Sequence, residues 1–214
     1  MNILGYVRRH SFSLMALGNI GGDLCYLGFA FNAQGWVSYP KLAGFLFTFV
    51  AHSVLLAFAD SQILAIEQEK GCASATILWL RHRAQSAFVY APPKLLFRLR
   101  AKPVGIAFGM LCFNGAGLVV DALMKGSSFA ALTQTALGLG IILGCSCFAW
   151  ADWVKSQKVA DRLLKLGPFI FTLVTLMNGL LFYATRDGFL ALSLILFMTA
   201  NWIGFYTKIS KENA

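Results

Sequence analysis

The chain has 214 residues, of which 58% are hydrophobic and only 13% charged, with a mean hydropathy of +0.68. A soluble domain is about half apolar and a quarter charged, so too little polar surface is present to coat a globule, and the excess must face lipid or partners. The formal charge of +9 would point to nucleic acid in a soluble protein. Here the basic residues lie between apolar runs, where loop topology explains them, and no nucleic-acid partner is expected.

A spanning helix needs about 20 mostly apolar residues. Six runs qualify in chain order: 12–33, 41–66, 103–124, 129–153, 166–185 and 188–207. They predict an all-α polytopic helix bundle of about six transmembrane helices in three antiparallel hairpins, forming a single transmembrane domain over 1–214. Arg8 and Arg9 precede the first run as in a signal peptide. Its length, the internal Asp23 and the lack of a convincing small-residue cleavage site favour an uncleaved span.

Lys and Arg then set the orientation. Arg8 and Arg9, the loop after the second run (Lys70, Arg81, Arg83, Lys94, Arg98, Arg100, Lys102), the loop after the fourth (Lys155, Lys158, Arg162, Lys165) and the tail (Lys208, Lys211) put 15 on one side. Only Lys41, Lys125 and Arg186 fall on the other. This bias places both termini in the cytoplasm, and the compact loops without glycosylation sequons suit a multi-pass protein of the cell inner membrane. Trp36 and Tyr39 at one boundary, and Trp150, Trp153, Trp202 and Tyr206 at the other, supply the aromatic belts.

The first run carries Asn19 and, near mid-depth, Asp23. An ionised Asp there costs on the order of 2.5–3.5 kcal/mol on insertion scales, so such acids usually face a bundle interior or a pathway. His52 reaches a similar depth in the second run from the opposite side, so antiparallel neighbours would let the two meet. Such a pair either handles protons or contacts substrate, or it locks the first hairpin as an interhelical hydrogen bond. Asp60, Glu67 and Glu69 follow toward the cytoplasmic end, where water or the basic segment is expected to receive them.

Segment 72–100 mixes Trp79 and its apolar neighbours with Arg81, His82 and Arg83. Pro92-Pro93 interrupts it, and Lys94, Arg98, Arg100 and Lys102 follow. Charges in its middle forbid a span, so a cytoplasmic amphipathic insertion lying in the membrane interface is expected. Trp79, Arg81, Arg83, Lys94, Arg98, Arg100 and Lys102 are its candidate contacts for anionic headgroups or for a partner protein.

Deeper polar residues in the later runs are Asn114 with Asp121 on its face, Asn178 with Thr175, and Asn201. Asn19, Asn114 and Asn178 each lie in the first helix of a hairpin. Their spacings of 95 and 64 differ by 31, the length of the extra basic segment at about 71–101, which suits a repeated hairpin. Asp152 and Asp187 read as boundary residues. Gly18-x-x-x-Gly22, Gly105-x-x-x-Gly109 and Gly140-x-x-x-Gly144 mark close helix packing. The five cysteines have no metal-ligand spacing, and neither a metal nor a cofactor is expected. Nucleotide-binding, nucleophile-elbow and zincin motifs are absent.

The order Gly22-Asp23, apolar hairpin, Phe49-Val50-Ala51-His52 resembles that of bacterial lysoplasmalogenase-like membrane proteins, over residues 21–60. The resemblance implies a lipid-directed hydrolase with Asp23 and His52 as its acid–base pair. Three functions are therefore expected to compete. The first is a non-catalytic accessory subunit of a larger membrane assembly, or a homo-oligomer. The second is a small-solute transporter binding at Asn19, Asp23, His52, Asn114, Asn178 and Asn201. The third is that hydrolase. A wet cavity joining Asp23 and His52 to one surface would favour transport or catalysis, and a dry, fully packed centre with a large apolar outer patch would favour the subunit.

Overall fold

The computed structural model describes residues 3–31, 38–59, 64, 67–69, 71 and 73–212, with side chains for all of these except 4, 8, 201 and 204–212. Every regular element among them is helical: α1 (Ile3–Arg9), α2 (Ser11–Phe31), α3 (Tyr39–Phe58), α4 (Ala75–Ala87), α5 (Pro93–Ala101), α6 (Pro103–Met124), α7 (Phe129–Trp153), α8 (Gln157–Thr185) and α9 (Gly188–Glu212). Helices α2, α3, α6, α7 and α8 are long and apolar enough to cross a membrane. The sixth expected span falls in α9, a helix of 25 residues whose side chains are described only in part beyond Ala200. The protein is thus a helical membrane bundle with five candidate spans among the described residues.

Prolines start three of the helices, with Pro40 in the first turn of α3, Pro93 opening α5 and Pro103 opening α6. Their missing N–H is no loss at a helix N-terminus. Pro168, by contrast, lies inside α8, which begins at Gln157, well before the apolar run that announced it. The break expected after Tyr90 is present: a 3₁₀ turn over Phe88–Tyr90 ends α4, and α5 begins at Pro93.

Helix α3 stops at Phe58 instead of running on to 66, because its last carbonyls are taken by side chains of α4. Arg81 Nη1 donates to the carbonyls of Leu56 (2.9 Å) and Ala59 (3.2 Å), and Gln85 Nε2 donates to that of Ala57 (2.8 Å). Cationic and amide donors at a helix C-terminus satisfy orphan carbonyls and oppose the helix dipole.

Glu67 is fully buried, not solvated as its charge suggested, and its carboxylate accepts from Phe12 N (2.6 Å), Ser13 N (3.3 Å) and Ser13 Oγ (2.9 Å). It caps the N-terminus of α2. Asp152 does the same for α6, accepting from Gly105 N at 2.8 Å, and Asp187 for α9, accepting from Leu190 N at 3.1 Å. Acids that read as solvated or as boundary residues therefore hold the orphan donors of three helices.

Glycines decide which helices pack closely. Helix α2 packs extensively against α9, α3 against α6, α6 against α7, and α7 against α8, whereas the sequential pairs α2–α3 and α8–α9 touch sparsely. Where α6 crosses α7, a Cβ on Gly115 would lie 2.6 Å from the Gly138 carbonyl oxygen, and one on Gly138 equally close to that of Gly115. Gly18 faces Ala200 and Gly22 lies under the Phe197 ring, so small residues on α2 receive α9. Gly140 and Gly144 receive Val174 and Phe171 of α8. Gly109 meets nothing, so only the first glycine of the 105/109 pair is used for packing. Two bodies result, the pair α2–α9 and the four-helix group α3–α6–α7–α8, meeting along two thin seams.

Candidate functional site

The α2–α3 seam carries the polar interior. Along α3, Lys41, Gly44, Thr48 and His52 recur at helical spacing, so they share one face, and that face is buried. Lys41, Gly44 and His52 each meet a polar group of a neighbouring helix, whereas Thr48 bonds within α3.

At the hairpin-turn end, Asp121 of α6 accepts from Ser38 Oγ (2.7 Å) and Gln134 Nε2 (2.8 Å) and pairs with Lys125 Nζ (2.7 Å). Lys41 Nζ lies 4.0 Å from the same carboxylate and 3.7 Å from the centre of the Phe29 ring, an attractive position for a cation. Lys41 is only 3% exposed. One turn deeper, Tyr26 Oη and Asn114 Oδ1 each lie 3.1 Å from where a Cβ on Gly44 would stand. A methyl there would press on both polar atoms, which would have to give by a few tenths of an ångström. Both atoms are buried without a hydrogen-bond partner, and such groups are rare unless water or a ligand serves them. Next, Thr48 Oγ1 donates to the Gly44 carbonyl at 2.9 Å.

The line ends at mid-depth, where His52 Nδ1 lies 3.0 and 3.1 Å from the two carboxylate oxygens of Asp23, with both side chains buried. A carboxylate on Nδ1 holds the ring proton there and leaves Nε2 as the basic nitrogen. Protonation of the ring then makes an ion pair without moving a heavy atom. The Phe197 ring lies 4.9 Å from the imidazole and covers Gly22, so α9 closes this end. Two clefts open on the bundle, one lined by residues of α1, α8 and α9 and one between α3, α4 and α5. Neither touches Asp23 or His52.

Of the residues singled out from sequence, Asp23, His52 and Asn114 thus belong to one line. Asn19 is half-buried one turn before Asp23 and is not bonded to it. Asn178 belongs to the other seam, where its Nδ2 donates to the Ala191 carbonyl at 3.3 Å while its Oδ1 and the nearby helix's Ser193 Oγ stay unpartnered. The side chain of Asn201, and Trp36, Asp60, Lys70 and Cys72, lie outside the described residues. Lys41, Tyr26, Thr48 and Gln134 were not anticipated, although the 41–44–48–52 spacing carries the signal.

In the basic insertion, Arg81 is bonded to the end of α3, and Lys102 donates to the Asp152 carbonyl. Trp79 is exposed beneath the guanidinium of Arg83, 5.3 Å from its ring, and Lys94, Arg98 and Arg100 are exposed. No protein-family description, curated protein or solved structure matches the chain.

Proposed function

We propose that the chain is a small proton-linked transport protein, with both termini in the cytoplasm and Asp23–His52 as its mid-membrane proton site. One observation carries this: Lys41, Thr48 and His52 recur on one buried face of α3, from the hairpin-turn end to that pair. A hydrocarbon-facing helix would not retain a Lys, a Thr and a His on one face, the Lys and the His each beside an acid of a neighbouring helix, because buried unpaired polar atoms are costly. The thin α2–α3 seam is where such a line can open.

Reconstituted into liposomes with a trapped pH indicator, the wild type is expected to collapse an imposed pH gradient several-fold faster than Asp23→Asn. Equal rates for wild type, Asp23→Asn and protein-free liposomes would contradict the proposal.

A second reading, the non-catalytic accessory subunit, is favoured by the Phe197 lid and by the absence of either cleft from the pair. The hydrolase reading finds no support of that kind, since no hydroxyl or thiol is bonded to His52 among the described residues.

A further inference from the structure

The cleft between α3, α4 and α5 has a volume of about 440 Å³ and is lined on one side by Arg81 and His82 and on another by Arg100. We propose that it binds the headgroup of an anionic phospholipid, whether or not the protein moves protons. Its walls are fixed from within. Arg81 and Gln85 are anchored on the carbonyls of Leu56, Ala57 and Ala59, so α4 cannot swing away from the end of α3. Leu99 is buried, which seats α5 and turns Arg100 outward.

No acidic residue lines the cleft, while Ala57, Phe58 and Val89 give it an apolar side. A phosphate with attached acyl chains matches that division better than a free anion does. The surroundings point to the same source: Tyr90 is 93% exposed and Phe97 75% exposed beside the cleft. Aromatic rings left in the open next to cationic side chains suit the headgroup–acyl boundary. Arg98 flanks Arg100 in the last turn of α5, adding to the local positive potential.

The probe is thermal unfolding of the purified full chain in neutral detergent, with added phosphatidylglycerol, phosphatidylcholine or inorganic phosphate at matched ionic strength. Phosphatidylglycerol is expected to raise the unfolding midpoint of the wild type by several degrees, since a ligand of the folded state stabilises it by mass action. Arg100→Gln should lose that rise, whereas Arg162→Gln, which removes the same charge at an exposed position of α8 outside the cleft, should keep it. Phosphatidylcholine and phosphate should leave the midpoint unchanged. An equal rise with inorganic phosphate would make the cleft a free-anion site and overturn the proposal. So would a rise that survives Arg100→Gln. No rise with any of the three would also overturn it and leave the cleft to a protein partner.

Discussion

His52→Ala is expected to destabilise the protein by about 3–5 kcal/mol, the range for breaking a buried pair by removing one partner. The Asp23 carboxylate would remain at mid-depth with no other hydrogen-bond partner among the described residues. An ordinary interhelical hydrogen bond in a membrane is worth only about 0.6–2 kcal/mol, so the size of the loss reports whether the pair is charged. Asp23→Leu combined with His52→Leu should recover most of the loss, because replacing both partners removes the uncompensated charge. Reversible unfolding in mixed micelles, run as a double-mutant cycle, gives each value. A cost for His52→Ala near that of a single neutral hydrogen bond would mean that the pair carries no charge, and would weaken its assignment as a proton site.

Gly115→Ala is the second large effect. The added methyl would lie 2.6 Å from the Gly138 carbonyl oxygen, a backbone atom that no rotamer change can move aside. Overpacking typically costs about 1–3 kcal/mol, and the α6–α7 contact is the most extensive in the bundle, so the upper part of that range is expected. Gly138→Ala should behave alike. Gly109→Ala is the internal control: nothing lies near its Cβ position, and a helix-interior Gly→Ala change is favourable by roughly 0.5–1 kcal/mol. The same unfolding measurement ranks the three. A neutral Gly115→Ala would show that α6 and α7 do not approach as described.

Much of the architecture was legible because it depends on properties local in sequence. Apolar length located the helices that form the bundle, Pro92-Pro93 marked the break in the basic segment, and opposed depths brought Asp23 and His52 together. What hydropathy misread depends on contacts distant in the chain. It ran α3 on to 66 because it cannot register Arg81 and Gln85 closing the helix at its carbonyls. It put Glu67 in water because nothing local shows the N-terminus of α2 waiting 54 residues away. Connection length predicted tight sequential hairpins, yet small residues on α2 draw in α9 more strongly than α3.

The candidate site divides in the same way. Asp23 stood out because an acid in an apolar run is costly wherever it lies. Lys41 did not, because near a helix end it resembles a boundary lysine, and only the tertiary structure buries it against Phe29 and Asp121. Asn178 shares its hairpin position with Asn114 but faces another seam. Position in a hairpin does not determine which neighbour a side chain meets.

The central claim is that the α3 polar line can open to the hairpin-turn side. Thr48 is fully buried on that line, and cysteine is close to it in size. With the five native cysteines replaced, Thr48→Cys is therefore expected to react with a membrane-impermeant thiol reagent from the hairpin-turn side. It should react more slowly than Ser127→Cys at the exposed turn, while Ile195→Cys on the exposed apolar surface of α9 stays unlabelled. A Thr48→Cys protein as unreactive as Ile195→Cys, with Ser127→Cys fully labelled, would mean that the line never admits water and would contradict the transport account.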